Sequence, residues 1–101
     1  MTEFTDTPLQ IASDHPAFAG HFPGSPIVPG AILLDEAMFA IAAATSVAHR
    51  RVSWVKFLRP VRPADPLLIR HAIDANGSIR FEILSGTDRV VTGNLLAVVP
   101  P

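Results

Sequence analysis

No cysteine occurs in the chain, so a disulfide framework, a thiolate metal site and a cysteine nucleophile are all excluded. That absence leaves the redox compartment open. The opening residues MTEFTDTPLQ carry neither a basic stretch nor an apolar run, which argues against a secretory leader and makes the cytoplasm the expected location. There is no HExxH, and His15 with His21 would still need a third ligand at workable geometry, so no metal is expected. No glycine-rich stretch ends in GK[ST], so no nucleotide site is implied. With a formal net charge of −1, nucleic acid is not an expected partner.

What the chain has in quantity is apolar side chains: 49% of its 101 residues are hydrophobic and the mean hydropathy is +0.35. A chain of this length makes one domain, 1–101, and so small a unit has too much surface to hide that much apolar material alone. A subunit interface is expected, in a homodimer or a higher assembly.

The chain is organised around residues 21–38, HFPGSPIVPGAILLDEAM. Pro23, Pro26 and Pro29 each fix φ and remove an N–H, which bars helix and sheet interior before Pro29 and stiffens the segment. His21 is carried on that loop. Pro29 suits a first helical turn, and from Gly30 to about Val47 only Asp35, Glu36, Thr45 and Ser46 are neither apolar nor small. This predicts a helix over 30–48, buried almost all round. Two adjacent acids inside it argue against a membrane span. Unpaired buried carboxylates are costly, so the pair near the helix start needs a reason, and catalysis supplies one.

Around the helix the pattern is of strands. PLQIAS (8–13) predicts a short first strand after frayed residues 1–6, and 14–30 form the proline-rich loop. His49, Arg50 and Arg51 suit a helix C-terminus. VSWVKFL (52–58) is β-branched and aromatic, RPVRPADP (59–66) is a proline-broken connection, and LLIRHAIDA (67–75) is a second long strand. Asn76-Gly77 predicts an antiparallel hairpin pairing 67–75 with 78–84. Ser85 to Asp88 makes the next turn, and 89–99 the last strand, with Gly93 a bulge. One helix followed by four strands and preceded by one calls for an α+β fold, an antiparallel sheet wrapped around one long buried helix.

The loop also carries a resemblance. HFPGSPIVPGAILLDEA resembles the HFPGxPxxPG signature of the 3-hydroxyacyl-acyl carrier protein dehydratases, hot-dog-fold enzymes whose motif continues into a helix bearing Glu or Asp. VKFLRPVRPADPL (55–67) resembles that family's KFxxPVxPGDxL segment, with Ala64 where glycine is usual. The short N-terminal region resembles the small dehydratases of aryl-polyene and related pigment pathways. The resemblance implies a hot-dog fold, no cofactor beyond the phosphopantetheine of acyl carrier protein that bears the substrate, and a homodimer with composite active sites.

Eliminating water from a 3-hydroxyacyl thioester to give the trans-2-enoyl thioester needs three groups. A neutral imidazole suits removal of the C2 proton, which points to His21. A carboxyl group raised by an apolar surround suits protonation of the leaving hydroxyl, which points to Asp35 or Glu36. A helix N-terminal amide suits the oxygen that gains charge on the thioester carbonyl, which points to Gly30. The resemblance implies the same donor, places histidine and acid on different subunits, and has the backbone carbonyl of Ile27 orient the ring. Counted without a gap from Pro29-Gly30, Asp35 falls where the family has its acid, whereas Glu36-Ala37-Met38 copies the EAM of the general branch. One residue turns a helical side chain by about 100°, so the gapless reading favours Asp35, with Glu36 the alternative.

Five of the eight basic residues (Arg50, Arg51, Lys56, Arg59, Arg62) lie between 50 and 62, where no acid occurs. An acidic carrier protein would meet such a patch favourably, Arg59 and Arg62 in particular, against the plainer reading of a solvated face. His15, His49 and His71 are expected to be surface or hydrogen-bonded residues. Two other functions stand beside dehydration. A hot-dog thioesterase would lack the HFPG loop, and a non-catalytic partner subunit would not need His21.

Overall fold

The computed structural model describes residues 4–11, 27–45 and 50–97. The elements are β1 (Thr5–Leu9), α1 (Gly30–Thr45), β2 (Arg50–Phe57), β3 (Leu67–Ile73), β4 (Ile79–Ser85) and β5 (Asp88–Ala97). The strands form one antiparallel five-stranded sheet of order β1-β3-β4-β5-β2, and α1 lies against one face of it. This is the α+β hot-dog arrangement.

Period-two alternation decides which side of each strand meets the helix. Leu67, Ile69 and His71 of β3, Ile79, Phe81 and Ile83 of β4, and Val91 and Leu95 of β5 are buried, and all but His71 join Leu33, Ala37 and Ile41 of α1 in one core. The opposite face carries a row of polar side chains in register, Asp6, Arg70, Glu82, Thr92 and Lys56, one from each strand. Within it Arg70 Nε donates to Asp6 Oδ1 at 2.9 Å. That ion pair links β1 to its neighbour.

The predicted β3–β4 hairpin is present. Its turn differs from a two-residue Asn-Gly turn, because Gly77 (φ 85°) has positive φ and Asn76 does not. Asn76 instead accepts from the Ser78 N–H at 3.0 Å and the Ser78 hydroxyl at 2.7 Å, while Gly77 N–H donates to the Asp74 carbonyl at 2.9 Å. In the β4–β5 turn Gly86 takes positive φ (63°) at the first central position, as tight hairpins favour.

Four expectations change. The first strand is Thr5–Leu9 rather than 8–13, because Pro8 sits inside an edge strand, where a missing N–H is tolerated, and the Asp6–Arg70 pair lies before it. Arg50 and Arg51 begin β2 instead of ending the helix. The helix is not buried all round: Ala31, Asp35, Phe39, Ala43 and Ala44 are exposed in the chain, Phe39 to 75%, because the sheet covers only one side. Gly93 is no bulge, since it pairs regularly with Phe81 and Val55; a Cβ there would lie 2.7 Å from the Phe81 ring. The irregularities fall elsewhere, between Val52 and Trp54 of β2 and between Ile83 and Leu84 of β4.

Ala64 is the one non-glycine residue with positive φ (67°) among those described, at the position where the resemblance expects glycine. Its N–H donates to the Ile11 carbonyl at 2.7 Å and its carbonyl accepts from the Gln10 amide at 2.7 Å, so the backbone around it is pinned from both sides. A left-handed conformation costs a residue with Cβ about 1–2 kcal/mol. Glycine would relieve that and give back part of it in unfolded-chain entropy, so Ala64→Gly is expected to stabilise the fold by about 0.5–1 kcal/mol in urea denaturation. A loss of stability on that substitution would contradict the account.

Candidate active site

A cleft of about 530 Å³ opens between the start of α1 and the segment after β2. Val28, Gly30, Ala31 and Leu33 form one wall, and Phe57, Leu58, Arg59, Pro60 and Val61 the other. Backbone bonds hold the two together. Val28 N–H donates to the Val61 carbonyl at 2.7 Å, and the N–H groups of Leu58 and Arg59 converge on the Val90 carbonyl at 2.8 and 3.4 Å.

Gly30 is the first residue of α1, so its N–H belongs to the opening turn that has no intrahelical carbonyl to meet. The turn is set by Pro29, whose carbonyl accepts from the N–H groups of Ile32 and Leu33 at 3.0 and 3.4 Å. Glycine is needed here for closeness: a Cβ would lie 2.8 Å from Cε1 of the Phe57 ring. Phe57 thus packs against the candidate amide. Nothing in the spacing of its strand marked it as part of the site, since the contact depends on how β2 crosses the helix start.

Asp35 and Glu36 lie in the second turn of α1 rather than at its N-terminus, and they diverge. Asp35 is exposed on the stripe of Ala31 and Phe39, one turn beyond a residue that lines the cleft. Glu36, turned by about 100°, lines a different groove of about 470 Å³, with Phe39, Ala40, Ala43 and Ala44 of α1 against Thr7, Pro8, Leu9 of β1 and Ile69 of β3. Neither carboxylate lines the cleft at Gly30: Asp35 stands on the open face of the helix and Glu36 faces β1.

Of the proposed carrier contacts, Arg59 lines the cleft and Arg62 does not. The run 50–62 lacks acids in sequence but not in space, because Arg59 Nη1 meets Asp88 Oδ2 at 3.2 Å and the Arg62 N–H donates to Asp65 Oδ2 at 3.0 Å. Ile27 is exposed beside the cleft wall. His21, whose ring it was expected to orient, lies outside the described residues, as do His15 and His49.

His71 is neither a surface residue nor hydrogen-bonded at Nδ1: it is 3% exposed on the helix-facing side of β3, and that nitrogen meets no partner. Burial pushes its pKa below the ordinary imidazole range, with Asp6 opposing weakly from β1. Among the described residues no group of three His, Cys, Asp or Glu side chains could hold a metal ion, and no helix is long and apolar enough to cross a membrane.

The chain is similar to known proteins over most of its length. A family model described as ApeI-like, ApeI dehydratase, matches residues 3–94. The 3-hydroxyacyl-[acyl-carrier-protein] dehydratase FabZ of Thermomicrobium roseum is 34% identical over an alignment 97 residues long that covers 86% of this chain and 62% of that protein. The chain thus spans about three-fifths of that relative's length. Among solved structures, the dehydratase heterocomplex ApeI:P from Xenorhabdus doucetiae aligns at TM-score 0.68 and 24% identity, covering 94% of this chain and 87% of that one. A probable thioesterase from Bartonella henselae aligns as well in shape, at TM-score 0.69, but at 16% identity, covering 92% and 88%. The shape is shared by both chemistries.

Proposed function

Because the chain belongs to the ApeI-like dehydratase family, we propose that it dehydrates a 3-hydroxyacyl thioester borne on the phosphopantetheine of acyl carrier protein to the trans-2-enoyl thioester. The match over residues 3–94 carries this reading, since fold alone also accommodates thioesterases. The cleft at the helix start is where the thioester would lie. The Gly30 N–H takes the carbonyl oxygen and stabilises it as the C2 proton leaves. His21 accepts that proton, the C3–O bond breaks as Asp35 protonates the hydroxyl, water departs, and the C2–C3 double bond remains. This chemistry needs no redox cofactor, because the substrate undergoes no net oxidation or reduction.

A second copy of the chain completes the site in this reading. Asp35 stands on a helix face left open by the sheet, beside the exposed ring of Phe39, and β2 is an edge strand bearing exposed Trp54 and Phe57. An uncovered edge with aromatic side chains invites pairing. The relative from Xenorhabdus forms a heterocomplex, so the partner in this reading is a second copy or a related chain.

The deciding experiment follows conjugated enoyl thioester by absorbance while titrating free thiol, with 3-hydroxyacyl carrier protein as substrate. Enoyl product without thiol release is expected. Thiol release without enoyl product would make the protein a thioesterase, and neither would make it a non-catalytic subunit.

A further inference from the structure

Asp88 lies outside the cleft lining but meets one of its residues, Arg59, and no motif accounts for it. It begins β5, directly after the Gly86-Thr87 turn, and reaches across to Arg59 at the cleft wall. One contact of 3.2 Å joins them, and both side chains are more than half exposed, 62% and 59%. Exposed single-contact pairs are weak, shifting an equilibrium by no more than about fivefold. A guanidinium so held keeps most of its donor fork free, and that fork matches the oxygens of a phosphate.

Placement makes Arg59 available to one particular phosphate. The Phe57 ring lies against Gly30, and Arg59 is two residues further along, at most about 7 Å of backbone, with a long side chain beyond. Gly30 and Arg59 line the same cleft, so a thioester carbonyl at the Gly30 amide and an anion at Arg59 would be held within it together. The arm proposed to carry the substrate is neutral along its length and ends in a phosphodiester. We infer that Asp88 is a built-in competitor for Arg59, neutralising it while the cleft is empty and ceding it to the phosphate of the substrate's arm. Asp88 thereby sets how strongly phosphate-bearing substrates are held. Identifying the arm rests on the dehydratase reading; the exchange of partners at Arg59 rests on the ion pair.

The test is a binding measurement that needs no turnover. Calorimetry with two saturated, non-eliminable ligands, butyryl-pantetheine and butyryl-phosphopantetheine, isolates the phosphate. Asp88→Asn is nearly isosteric, and it is expected to tighten butyryl-phosphopantetheine about twofold to fivefold while leaving butyryl-pantetheine unchanged. In an Arg59→Gln background the same substitution should have no effect on either ligand. Weaker binding in Asp88→Asn, equal tightening of both ligands, or a gain that survives loss of Arg59 would each overturn the inference. So would a gain seen only with butyryl-acyl carrier protein, which would assign Arg59 to carboxylates of the carrier. Because the ligands do not react, a wild-type protein that binds them in this pattern but dehydrates nothing would remove the dehydratase reading and leave the role of Asp88 standing.

Discussion

Replacing His21 with alanine is expected to leave a folded protein whose dehydration rate falls by about 10²–10⁴-fold, the usual contribution of a positioned acid or base. The described core is built by Val28, Leu33, Ala37 and Ile41 against Ile69, Phe81, Ile83, Val91 and Leu95, and those contacts are expected to carry the fold of the variant. The base cannot be supplied by His71 instead, because it is buried behind the sheet–helix interface and lines none of the cleft. Burial also drives the His71 pKa below the ordinary imidazole range. Circular dichroism would report the fold and enoyl absorbance the turnover. A folded His21→Ala variant with undiminished turnover would remove the catalytic role of the HFPG histidine.

The parts of this molecule that sequence reveals are those determined locally. β3, β4 and β5 follow from β-branched runs punctuated by Asn76-Gly77 and Gly86, and α1 follows from Pro29 and the apolar run behind it. The misplaced parts are those determined by distant neighbours. β1 is a strand because it pairs with β3, Asp6 opposite Arg70 at a separation of 64 positions, which no local pattern contains. Gly93 looks like a strand defect until the Phe81 ring is seen to need its empty side. The acid-free run 50–62 acquires Asp88 only when β5 turns back alongside it. For the candidate site, the place of Gly30 at the helix start is legible from Pro29 and the apolar run, whereas the contacts of Phe57 with Gly30 and of Asp88 with Arg59 depend on how β2 and β5 pass the helix start.

Asp35→Asn is the second substitution expected to cost about 10²–10⁴-fold in turnover with the fold retained, while Glu36→Gln should cost far less. The helix gives the reason. Asp35 stands one turn past Ala31, which lines the Gly30 cleft, and Glu36 lines the separate groove against β1. Neither carboxylate lines the Gly30 cleft within its own chain, and Asp35 rather than Glu36 stands on the face left open to a second copy. Asp35 is exposed in the single chain, so it would meet the substrate only where another copy closes over it. If His21 of one protomer works with Asp35 of its partner, mixing unfolded His21→Ala and Asp35→Asn chains and refolding them together should restore activity. Half of the random dimers are mixed, and each mixed dimer holds one site with both native groups, so about a quarter of the wild-type activity should return. Were both groups drawn from one chain, every site would retain one defect and the mixture would stay inactive. Reversed damage, with Glu36→Gln the crippled variant, would instead mean that the substrate lies along the β1 groove and that Glu36 is the acid.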